Sequence, residues 1–183
     1  MASSLVADWF SEGFAQLHPQ LQRLHQQGGQ LDGVVDVQFG QGLAGFIGKR
    51  LAKKLGIPTT HTPHHLTVNI SHSEQALHWH RSFNNSTVMP SVFYPTGHWP
   101  TGYWTEKTGH LQMDLAVNVI DGGWFWRCVS MRIGKLPVPL WLMPQMTAYK
   151  TIEQQQYRFY VGFNLPILGL LLSYSGLLQL KHG

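Results

Sequence analysis

Residues 111–133 read LQMDLAVNVI-DGG-WFWRCVSMRI, two alternating runs joined by Asp121-Gly122-Gly123. Leu111, Met113, Leu115 and Val117 supply one uninterrupted apolar face, and Trp124 and Trp126 alternate with Phe125, the period of two that a strand imposes on its side chains. A glycine-bearing turn between two such runs predicts a β-hairpin. The period holds from Leu66 onward and predicts strands at about 66–70, 76–84, 87–94, 102–107, 110–119, 123–133, 138–149, 156–164 and 167–178. Asn84-Asn85, Pro95-Thr96-Gly97, Thr108-Gly109 and Gly134-Lys135 supply further turns. Nine consecutive strands with short turns form an antiparallel meander, whose edges stay open unless it curls into a barrel or half-barrel.

Upstream the period changes. Leu5, Trp9, Phe10, Phe14 and Leu17 recur at helical spacing, and His18-Pro19 breaks that helix and starts a second, with Leu21, Leu24 and His25 on its apolar side. A short extended segment, Gly33 to Phe39, precedes a third helix from about Leu43 to Leu55, stopped by Ile57-Pro58. The expected fold is therefore mainly β (α+β): one domain over 1–183, a helical portion (1–62) packed across an opening of an antiparallel β portion (63–183).

Composition narrows the function classes. Of 183 residues, 43% are hydrophobic and 12% charged, so there is enough apolar surface to offset the ordering entropy of folding. The single cysteine, Cys128, excludes a disulfide framework and a multi-thiolate zinc site, and suggests a reducing cytoplasm. A net charge of +4 comes from scattered basic residues, with no phosphate-tracking stripe, so nucleic acid is not an expected partner. The N-terminus lacks signal-peptide features. The most apolar segment, Leu165 to Leu180, is too short for a membrane-spanning helix and reads as a buried strand.

Three motifs carry candidate chemistry. Gly40-Gln41-Gly42-Leu43-Ala44-Gly45 matches G-x-G-x-x-G, but the acidic residue a dinucleotide site needs about 20 positions on is absent, since residues 59–65 read TTHTPHH. It reads as a glycine-rich helix entry, with a weak anion site as the alternative. His61, His64, His65, His72, His78 and His80 crowd one stretch without matching a metal motif or an accompanying carboxylate, so neither metal nor cofactor is expected. Trp79, Arg81 and Phe83 alternate inward, which puts a guanidinium between two aromatic side chains, where it needs a partner. Glu106, sharing a strand face with Trp104, is the candidate from the chain; a ligand's carboxylate or phosphate is the other.

The Phe14…Leu17-His18-Pro19…Leu21 entry, the glycines before Leu51-Ala52, Trp79-x-Arg81-x-Phe83, Glu106-x-x-Gly109, Leu136-Pro137-Val138-Pro139-Leu140 with Pro144, Pro166-x-x-Gly169 and Tyr174-x-Gly176 together resemble the bacterial domain-of-unknown-function family 4166. The resemblance implies a domain often found after a saccharopine-dehydrogenase-like or epimerase-like reductase, and it brings no established activity.

Three functions follow as expectations. The first is a binding module whose barrel holds a mostly apolar small molecule, with Trp79, Arg81, Phe83, Trp104 and Glu106 as ligand-binding residues. The second is a cofactor-free isomerase or cyclase, with Glu106 and either His80 or His110 as acid and base at the barrel mouth. The third is an accessory domain docking on a reductase through Lys49, Arg50, Lys53 and Lys54.

Overall fold

The computed structural model describes residues 4–86, 88–108 and 110–181; Thr87, in the strand expected at 87–94, and Gly109, in the turn Thr108-Gly109 and the motif Glu106-x-x-Gly109, lie outside the described residues. The sheet runs through β1 (Gly29–Phe39), β2 (His64–His72), β3 (Leu77–Phe83), β4 (Met89–Thr96), β5 (Tyr103–Thr108), β6 (Leu111–Ile120) and β7 (Gly123–Ile133), each paired antiparallel with the next. The two-residue β8 (Leu136–Pro137) hangs on the end of β7 outside the ring. The circuit then continues through β9 (Gln145–Glu153), β10 (Gln156–Leu165) and β11 (Gly169–Lys181), and closes because β9 pairs with β7 and β11 with β1. The result is a closed antiparallel barrel of 10 strands.

The extra wall is β1. The sequence pattern starts the extended segment at Gly33, but the strand begins at Gly29 and inserts between β2 and β11, so the helical portion itself supplies one stave. Polar residues at its start hide it from a reading of periodicity. Asp32 turns outward, where it accepts from His65 and Thr67 and pairs with Lys181 at 3.2 Å. The strand expected at 138–149 is shorter in the structure: a 3₁₀ turn at Leu140–Leu142 precedes β9, because Pro139 and Pro144 have no N–H to give a ladder.

The N-terminal helices close one end. α1 (Leu5–Phe10) is capped by the Ser4 hydroxyl, which accepts from Ala7 N, and it stops where Ser11 takes a φ of 50°. A 3₁₀ segment, Ser11–Gln16, then leads to α2 (Pro19–Gln27), opened by proline at its first position. Trp9 lies 5.2 Å from Trp104 and Phe10 sits edge-on to Trp124 at 5.0 Å, so aromatic rings from α1 plug the barrel end at which β6 turns into β7. His18 N–H donates to Gly122 O in that turn at 2.9 Å.

α3 (Gly42–Lys54) lies outside, on β11. The glycines of the G-x-G-x-x-G match do different things: a Cβ on Gly40 would stand 1.9 Å from Leu170 O of β11, Gly42 takes a φ of 55° with open space around it, and a Cβ on Gly45 would stand 2.2 Å from Gly40 O. Gly48, inside α3, is as tight as Gly40, with a Cβ position 1.9 Å from Leu171 O. Glycine to alanine inside a helix ordinarily gains about 1 kcal/mol. Gly48→Ala should instead lose about 1–3 kcal/mol by forcing helix from sheet. Urea unfolding should show that loss, while Lys49→Ala beside it, exposed, stays within about 0.5 kcal/mol.

Candidate functional site

Register decides which side chains face the barrel axis. Val68 opposes Arg81, Ile70 opposes Trp79, Lys150 opposes both Trp124 and Phe159, and Tyr157 opposes Leu178. Around them lies a cavity of about 60 Å³, whose wall includes Trp79, Arg81, Trp126, Lys150, Tyr157 and Tyr174. One water needs roughly 10–15 Å³, so this space admits a few waters or a small organic group. Most of the wall is aromatic or aliphatic, and its polar groups are few and placed apart.

Arg81 is the first of them. Its Nη1 donates to the Tyr174 hydroxyl at 2.8 Å and its Nη2 to Ser91 Oγ at 2.6 Å, while the buried Nε has no partner among the described residues. Both acceptors are hydroxyl oxygens. Among the described residues Arg81 makes no ion pair; Glu106 acts on it only at longer range. Burial opposes its charge, yet Tyr174 and Glu106 outweigh burial and hold its pKa above the ordinary value. A half-buried guanidinium thus stays charged with no carboxylate against it and its Nε without a partner among the described residues, an arrangement that favours an incoming anion.

Lys150 is the second, and sequence reasoning missed it. It is 2% exposed on the inward face of β9, and its Nζ lies 2.8 Å from Nε2 of His25, which α2 brings in from the plugged end. Trp124 and Trp79 flank the nitrogen, with ring centroids 3.8 Å and 4.1 Å away. Burial pushes the Lys150 pKa well below its usual 10.5, whereas the ring faces act in the opposite sense by attracting an ammonium. Burial, with help from Lys150 and His72, also pushes His25 well below 6.5 and keeps it neutral. The signal was in the sequence: Met146, Ala148, Lys150 and Ile152 alternate on one face, which sets a lysine in an apolar row.

The cavity adjoins a second space. A larger polar depression of about 500 Å³ lies between α2 and the β9–β10 turn, lined by Gln20, Arg23, Gln154, Gln155, Gln156 and Gln179 among others. Leu31 and Tyr157 belong to both walls. The Tyr157 hydroxyl is buried and without a partner among the described residues, and burial raises its pKa.

The other expected site residues disperse. Trp79 and Arg81 line the cavity; Phe83 is buried and packs edge-on against Tyr174 at 5.8 Å; Trp104 is sealed under Trp9. Glu106 is half-buried on β5, while His80 and His110 are exposed. Among the described residues Glu106 has no hydrogen bond or ion pair to any histidine. The histidine-rich stretch also divides: His65 pairs with Asp32, His64 hydrogen-bonds Asn84 and Thr60, and His72 lies 6.4 Å from His25. No group of three or more His, Cys, Asp or Glu placed to hold a metal ion occurs among the described residues. No helix there is long and apolar enough to cross a membrane.

A family model described as "Domain of unknown function (DUF4166)" matches residues 17–178. No curated protein and no solved structure matches the chain.

The buried histidine generates a pH dependence. His25 faces Lys150 from β9 and His72 from β2, and all three have their pKa lowered, so the fold refuses protons that the unfolded chain accepts. Stability from His25 is complete above about pH 6.5, the unfolded value, and declines as pH falls below it, with a slope of up to about 1.4 kcal/mol per pH unit. Melting temperatures between pH 8 and 5 should fall more steeply for the native protein than for His25→Asn, which retains the shares from His72 and Lys150.

Proposed function

The chain belongs to the domain-of-unknown-function family DUF4166, and from the barrel interior of this member we propose that it is a binding module for a small organic anion. The anion's charge is taken by Arg81, and its apolar portion lies along the aromatic wall between Trp79 and Tyr157. One observation carries this reading: Arg81 is charged and half-buried in the cavity wall, hydrogen-bonded among the described residues by the hydroxyls of Tyr174 and Ser91 alone, with a buried Nε that has no partner there. A protein that needed only packing there would be better served by an apolar side chain of similar volume.

Size constrains the ligand. Sites for drug-sized molecules run to roughly 300–1,000 Å³, and the inner cavity of about 60 Å³ falls far below that. What it admits is a short-chain carboxylate or phosphate. A longer molecule would place only its anionic end there and leave a polar body in the glutamine-lined depression past Leu31 and Tyr157.

Native mass spectrometry of freshly purified protein should reveal a co-purifying anion, and short carboxylates should raise the melting temperature. Hydrogen bonds to a charged group contribute about 1.5–3 kcal/mol, so Arg81→Met should weaken binding by roughly 10- to 100-fold. A native protein with no bound anion and no response to carboxylates or phosphates at millimolar concentration would overturn the reading.

A further inference from the structure

We propose that Lys150 is a carbonyl-reactive amine, and that the barrel forms an imine with a short oxo acid whose carboxylate rests on Arg81. The oxo-acid part of this proposal rests on the anion-binding reading above; the reactivity of Lys150 does not. The geometry carries it. Lys150 lines the cavity, and among the described residues its Nζ makes one side-chain hydrogen bond, to His25 Nε2 at 2.8 Å, and pairs with no carboxylate. Trp79, whose ring lies 4.1 Å from that nitrogen, is two residues from Arg81 on the same strand face. Arg81 and Lys150 therefore line one cavity with the Trp79 ring between their strands, so a short oxo acid in that cavity has a cation and an amine within the same wall.

The site has the parts that imine formation requires. The Nζ lone pair attacks the carbonyl carbon, and the C=O pair moves onto oxygen. His25 Nε2 accepts a proton from nitrogen and returns it to that oxygen. The remaining N–H proton then passes through His25 Nε2 to the carbinolamine hydroxyl, which leaves as water while the nitrogen lone pair closes the C=N bond. Amine and carbonyl thus become imine and water, both N–H protons departing with the oxygen, and no oxidant or reductant takes part. A neutral His25 is in the right state to begin, and burial lowers the pKa of Lys150, which enlarges its unprotonated fraction. The other lysines, at 49, 53, 54, 107, 135 and 181, are exposed.

The test uses the native protein at pH 7 with cyanoborohydride and either acetaldehyde or glyoxylate, followed by peptide mass mapping. Acetaldehyde should label Lys150 at least about tenfold faster than any exposed lysine, and glyoxylate should show a further gain that Arg81→Met removes. His25→Asn should slow labelling of Lys150 and leave the surface lysines unchanged. Labelling confined to the surface lysines with both reagents would overturn the proposal and would mean that the tryptophans hold Lys150 as an inert ammonium. Labelling by acetaldehyde with no advantage for glyoxylate would retain the reactive amine and reject the anion site. Both of these outcomes are read on the native protein, so misfolding of a variant changes neither.

Discussion

A meander can close with antiparallel pairing at every seam only if its strand number is even. The β portion alone provides nine strands around the ring, β2 to β7 and β9 to β11, and the tenth is β1 from the helical portion. Every other feature of the interior depends on that insertion. β1 satisfies the edges of both β2 and β11, delivers Leu31 to the cavity wall, and, because α2 leads directly into it, fixes the helical plug to the barrel end where His25 meets Lys150. Without β1 the two edges would be open templates for pairing with other chains.

The seams differ in strength. β6 and β7 share a ladder from Leu111↔Ile133 to Ile120↔Gly123, whereas β7 meets β9 only from Trp124 to Trp126. Beyond Trp126 the partner of β7 becomes β8, and a proline-bearing turn fills the space before β9 begins. Leu136, Trp141 and Leu142 are exposed there. The barrel is thus well knit on the side that carries the tryptophan plug and loosely joined towards the far end of one seam.

The fold was legible because alternation is a local property: each hairpin from Leu66 onward announces itself through inward apolar residues and a turn between them. β1 was only half legible, because Gly29, Gln30 and Asp32 look like loop until Lys181, His65 and Thr67 are brought to Asp32 by pairing across distant segments. The proline-rich stretch misled in the other direction, since the apolar residues Leu140, Trp141 and Leu142 resemble a strand but lie in a turn between prolines. At the candidate site Arg81 stood out through its two aromatic neighbours. Its acceptors did not, because Tyr174 and Ser91 are 93 and 10 residues away and only barrel closure brings Tyr174 within reach. Lys150 was visible as a lysine in an apolar row, but its meaning depends on His25, a residue 125 positions earlier.

Two cationic side chains in one apolar interior would ordinarily repel each other and oppose folding. The structure answers this by treating them differently. Arg81 keeps its proton: its fork is held by two hydroxyls, Glu106 adds long-range attraction, and a guanidinium gives up a proton only with great difficulty. Lys150 meets only a neutral imidazole and ring faces, so losing its proton is the less costly way to be buried. An interior with one fixed positive charge and one adjustable amine avoids most of the repulsion. It also gives the cavity a direction, with the fixed charge at the Ser91–Tyr174 side and the amine near the helical plug. That polarity follows from burial and hydrogen bonding together, and a barrel filled only by aliphatic side chains would lack it.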